Sequence, residues 1–136
     1  MQFDTKIAIV VREDLAVWQK LNVTAFLTGG IVGANQGLIG EAYEDADGGR
    51  YSPLLIQPVI VLGTDAAGLR KVYNRATERG VRLSLYIEEM FQTGHDAANR
   101  AAVKQVRPEE MNFVGLALRE DKKTVDKITK GAKLHG

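Results

Sequence analysis

The residues best placed to do chemistry lie in "VREDLAVWQKLN", residues 11–22, where Arg12, Glu13, Asp14, Lys20 and Asn22 follow an apolar run. Lys20 could present a positive charge to a phosphate or a developing oxyanion, Asn22 could donate to a carbonyl, and Asp14 could help hold a ligand. In open α/β sheets ligands sit beyond the carboxyl ends of strands, and the passage from a first strand into its helix is such an address. The duller alternative makes Lys20 a solvated helix face and Asn22 a cap or turn residue. Trp18, the single tryptophan, is either a stacking platform or a core residue, and core is the expectation.

Other groupings carry less. "DADGG" opens like a calcium loop at Asp45 and Asp47, but its twelfth position is Ile56 where a bidentate Glu is required, so a hairpin turn is expected. "GGIVGANQGLIG" lacks the Lys-Ser/Thr ending of a phosphate-binding loop, and a flexible helix exit is expected there. His95 and His135 have no metal-ligand spacing and are expected as a solvated loop residue and a frayed terminus. Glu88 and Glu89 are adjacent at a strand end, so at most one can face a common cleft. With no Cys there is no disulfide, thiolate nucleophile or Cys-ligated zinc, and no Ser-His-Asp arrangement supports a covalent mechanism. No metal and no cofactor are expected.

The elements that must position these residues alternate. "TKIAIVV" is a continuous Ile/Val run, the pattern of a strand covered on both faces. Leu15 to about Gly33 follows as a helix, with Val17, Leu21, Thr24, Phe26 and Leu27 near helical spacing and glycines blurring its end. "LIGEAY" and "YSPLLIQPVIVLGT" flank the turn-rich "EDADGG", with Pro53 and Pro58 confining part of the second strand to an edge or bulge. Thr64 is expected to cap a helix from Asp65, which buries Leu69, Val72, Tyr73 and Ala76 and ends at Gly80. "VRLSLYI" is a strand with Val81, Leu83, Leu85 and Ile87 on its drier face. "HDAANRAAVKQV", "NFVGLAL" and "KKTVDKITKGA" read as helix, strand and a final helix ending near Gly131. Together they predict a single α/β domain over residues 1–136: a mixed sheet of about four core strands flanked by helices, with an added hairpin.

Composition limits the function classes. At 136 residues, 45% hydrophobic and 26% charged, the chain is large enough to bury roughly two-thirds of the surface its unfolded form exposes. Eighteen basic against seventeen acidic residues give a net charge of +1, no footprint for general nucleic-acid binding. The apolar run near the N-terminus is too short for a signal peptide or a membrane span, so the expected address is the cytoplasm, without membrane association.

"KIAIVVREDLAVWQKLNVTAFLTGGI", "PVIVLG", "NFVGLALRE" and "KKTVDKITKGAKLHG" look like the small bacterial family catalogued as domain of unknown function 2000, which in turn resembles the type II peptidyl-tRNA hydrolases. The likeness covers most of the chain in order; the hairpin region 38–57 and the helical segment 95–107 look like additions. The resemblance implies a peptidyl-tRNA hydrolase II-like fold and puts Lys20 where those enzymes carry a helix lysine. It also sets "EMFQT" against their acid followed by Ala-Gly-x-Thr, which retains Glu89 and Thr93 at the acid and Thr spacing and loses the Ala-Gly. Thr24 and Leu27 stand near the positions of the family's Gln and His.

Two function classes follow. The first, which the broken motif favours, is a domain that binds a small molecule, peptide or protein partner without the ancestral activity, with a homodimer open. The second is a hydrolase of a peptidyl-tRNA-like ester or related ester or amide. There Lys20 would stabilise negative charge while Glu89 or Thr93 positions or deprotonates water. RNA contact through Lys122, Lys123, Lys127, Lys130 and Lys133 is explained more simply by a solvated helix face. Lys20, Asn22, Glu89 and Thr93 are expected to converge on one cleft.

Overall fold

The first strand explains the architecture around it. In the computed structural model, which describes residues 3–136, β1 (Thr5–Arg12) is buried from Ile7 to Val11. Its alternating side chains therefore feed two apolar layers, Ala8 and Val10 on one face and Ile7, Ile9 and Val11 on the other. α1 (Val17–Ala34) covers the second face with Val23, Leu27 and Ile31.

The sheet has five strands in the order β5-β6-β1-β4-β7. β4 (Val59–Thr64) runs parallel to β1, whereas β6 (Phe113–Asp121) is antiparallel to β1 and to β5 (Ser84–Ile87). β7 (Lys133–Leu134) adds the strand that hydropathy did not give, since two residues are too few to show a period. α2 (Ala66–Glu78) packs Leu69, Val72 and Ala76 on the first face, beside Val125 and Ile128 of α4 (Lys122–Ile128).

Several local expectations change. α1 continues through Gly29, Gly30 and Gly33 without a break, because Leu27 and Ile31 anchor it to the sheet on both sides of the paired glycines. Of the positions expected near helical spacing, Val17, Leu21 and Phe26 are exposed and Leu27 is buried, and it joins Val23 and Ile31 in the sheet-facing stripe. Close approach of α1 depends on Gly115 of β6, where an added Cβ would lie 2.5 Å from Val23 Cγ1 and 2.9 Å from Leu27 Cδ1.

The long second run splits into β3 (Arg50–Tyr51) and β4, with Pro53 and Pro58 in the gap because proline cannot donate to a ladder. β2 (Tyr43–Glu44) and β3 form a separate hairpin. The Asp45 carboxylate closes its turn, accepting from the Asp47 N–H at 3.0 Å, the Gly49 N–H at 2.8 Å and the Tyr51 hydroxyl at 2.7 Å. Asp65, not Thr64, caps α2, accepting from the Gly68 N–H at 2.8 Å; the helix ends before Gly80 at φ +67°. α3 (Asp96–Lys104) is capped by His95, which is exposed as expected and whose Nδ1 accepts from the Ala98 N–H at 3.2 Å. Among the described residues no helix is long and apolar enough to cross a membrane.

Candidate functional site

A cavity of about 610 Å³ opens beside β5, an outer strand, between α1, α3 and the 3-10 turn Glu88–Gln92. α1 contributes Trp18, Asn22, Phe26 and Gly30, a spacing of four that forms one ridge along the helix. α3 contributes Asp96, Asn99, Arg100, Val103 and Lys104, again one helical face, and none of its residues is fully buried. The exposed Asp96 and Arg100 side chains pair along that face.

Four aromatic rings run in contact through the site. Trp18 meets Phe91 edge-on at 6.2 Å, Phe91 lies 5.2 Å from Tyr86, and Tyr86 meets Phe26 at 6.0 Å. Tyr86 is only 4% exposed, whereas Trp18 and Phe26 remain 63% and 56% exposed. Burial pushes the Tyr86 hydroxyl above its ordinary pKa, and a hydrogen bond with Asn22 offsets part of that rise. The Thr93 hydroxyl lies between the Met90 carbonyl, at 2.9 Å, and the Asn99 side chain, so it is held in place. The α1 and β5 walls are thus mostly aromatic and apolar, with Asn22, Ser84, Thr93 and Asn99 as polar points, while His95, Asp96, Arg100 and Lys104 make the α3 side polar. A smaller hollow of about 290 Å³ lies elsewhere, lined by residues that include Phe3, Lys6, Gln57 and Lys122. Among the described residues no three His, Asp or Glu side chains are grouped to hold a metal.

A family model described as a protein of unknown function, DUF2000, matches residues 5–136. The chain belongs to the DUF2000 family. It is 59% identical to a protein of unknown function from Agrobacterium tumefaciens strain C58, whose solved structure it matches with a TM-score of 0.97 over 99% of this chain and 100% of that one. Curated proteins give no match.

In this DUF2000 protein Asn22 and Thr93 line the same cavity, while Lys20, Glu89 and Asp14 do not. Lys20 is two residues from Asn22, about 200° around the helix. It shares the stripe of Val23, Leu27 and Ile31 and is half-buried. Glu89 is exposed in the 3-10 turn. Asp14 pairs with Arg12 at 2.6 Å, and Arg12 also meets Glu88 at 3.1 Å. Burial pulls the Arg12 pKa down, but the hydrogen bonds to both carboxylates outweigh it and hold the guanidinium above its ordinary value. The strand-end address is therefore occupied by ion pairs, and the cavity of this DUF2000 protein lies farther along the sheet, beside β5. Trp18, expected in the core, stands at the cavity wall. Tyr86, Phe91 and Asn99 carry no local sequence signal of a site, whereas the spacing of four that joins Trp18, Asn22 and Phe26 is visible in the sequence.

Proposed function

We propose that this DUF2000 chain binds a small, largely apolar ligand in the α1–β5–α3 cavity, on a fold akin to that of type II peptidyl-tRNA hydrolases but without their chemistry. The observation that carries this reading is the run of four rings, Trp18, Phe91, Tyr86 and Phe26, with two of them more than half exposed around a space of about 610 Å³. Ligand sites are commonly concave, about 300–1,000 Å³ in volume, with apolar walls and a few polar points, and an entering apolar group would remove the exposed ring surface from water. Loss of the hydrolytic reaction is supported by the absence of Lys20 and Glu89 from the lining and by the held Thr93 hydroxyl. The reading assumes a cytoplasmic protein and needs no second subunit, since one chain supplies the walls.

The test is a titration with anilinonaphthalene sulfonate, followed by dye fluorescence and Trp18 quenching. One saturable site, weakened about tenfold or more by Phe26→Ala, is expected. Binding unchanged by Phe26→Ala and by Trp18→Ala overturns the assignment.

The hydrolase reading draws on one observation, that Asn22 and Thr93 share a cavity. Its test is release of the peptidyl group from a blocked aminoacyl-tRNA. Turnover abolished by Lys20→Ala would establish that reading, and no turnover at high protein concentration would remove it.

A further inference from the structure

β5 is an edge strand that pairs with β6 alone, and Ser84, Leu85 and Tyr86 line the cavity on its other side. Neighbouring bonds decide which main-chain groups face that side. The Glu88 N–H donates to the Asn112 carbonyl at 3.0 Å, in line with the β6 side, whereas the Ile87 N–H turns away to Met90 Sδ at 3.4 Å. The irregularity in this pairing passes over Val114 of β6, since Tyr86 sits opposite Gly115 and Ile87 opposite Phe113. Alternation along β5 is therefore unbroken, which turns Tyr86 toward β6 and Leu85 away from it. Leu85 offers one N–H and one carbonyl to the cavity, and among the described residues no backbone group outside the sheet meets either.

The walls beside this edge are of two kinds. Phe26 and Asn22 of α1 stand on one side, and Val103 and Asn99 of α3 stand on the other. A flat apolar molecule would fill such a space but leave the Leu85 donor and acceptor against an apolar body, which costs free energy. An extended chain does both jobs, because its main chain pairs with the strand edge while alternate side chains go to opposite walls.

Resting on the cavity reading above, we propose that the ligand is a short extended peptide segment that adds to β5 at Leu85 and places an apolar or aromatic side chain among Trp18, Phe26, Tyr86 and Phe91. Two to four residues, at roughly 3.3 Å each, span the strand. Main-chain pairing supplies affinity common to many sequences, and the rings supply a preference for one bulky apolar side chain.

The experiment uses the whole chain and N-acetylated, C-amidated Val-Phe-Val, alongside the same peptide methylated on its three residue amide nitrogens. Displacement of anilinonaphthalene sulfonate and hydrogen exchange of the Leu85 amide are read together. The parent peptide is expected to displace the dye and protect the Leu85 amide, and the methylated peptide to bind about tenfold more weakly or worse, because it keeps the side chains and loses the donors. Equal displacement by both peptides, or displacement without Leu85 protection, overturns strand addition. A dye that binds and is displaced by neither peptide overturns this inference while leaving the cavity reading intact; a dye that does not bind at all removes the cavity reading itself.

Discussion

The two faces of the sheet are finished to different degrees. On the α2–α4 face Leu69, Val72, Ala76, Leu118, Val125 and Ile128 are all essentially without exposure, and the layer closes on itself. On the α1 face Val23, Leu27 and Ile31 are nearly as well buried, yet the same helix leaves Trp18 and Phe26 facing open space; α3, whose Val103 packs at the margin of the other layer, buries no residue fully. The contrast separates residues that hold the sheet together from residues with apolar surface to spare. Large apolar side chains left out beside a concave edge are more informative than scattered surface ones, because folding alone does not use them.

The largest effect should come from the closed face. Leu118→Ala is expected to cost about 2–5 kcal/mol in urea unfolding, through lost burial and a residual cavity. Trp18→Ala on the open side should cost less than about 1 kcal/mol, since most of its surface is already in water. Equal losses would break the contrast. Gly115→Ala comes next, at about 1–3 kcal/mol, because its new methyl meets Val23 and Leu27. This substitution ties the two regions together: by shifting α1 it should also weaken dye binding, and unchanged binding would mean that the α1 wall is not part of the site. Asp65→Ala removes the cap of α2 and should cost about 1 kcal/mol, with dye binding unaltered because α2 lies on the other face. The smallest change is in the alkaline range. The folded Tyr86 pKa is raised above the ordinary 10.0 by burial. Its contribution to stability is therefore complete below the unfolded value and lost as pH rises through the folded one. Ultraviolet titration should show two tyrosines that ionise late, Tyr86 and Tyr51, whose hydroxyl is held up by its bond to Asp45. Tyr86→Phe should reduce that phase by one tyrosine, and an undiminished phase would contradict the burial of Tyr86.

Much of the frame was legible because single segments carry their own pattern. The Ile/Val run of β1, the inward stripe of α2 and the apolar run of β6 each show burial within a few residues. The site was not legible in that way. Its walls come from residues 18–30, 84–93 and 94–104, and no local motif says that an outer strand will leave space between two helices. Trp18 was expected inside because large aromatics usually are, but it lies on the ridge of α1 with Asn22 and Phe26, off the buried stripe of Val23, Leu27 and Ile31. Arg12 and Asp14 drew notice as polar residues at a strand end, and the structure uses them with Glu88 in ion pairs. Asn22 and Thr93, expected from sequence to share a cleft, line one cavity, whereas Tyr86, on the side of β5 expected to be wetter, is buried against α1.

The most direct test of the central claim is a map of amide and indole chemical shifts as anilinonaphthalene sulfonate is added. The account expects the largest changes at Trp18, Asn22, Leu85, Tyr86, Phe91 and Asn99, around the cavity beside β5. Changes centred instead on Thr5, Lys6, Gln57 and Lys122, around the smaller hollow, with the β5 residues unmoved, would contradict it.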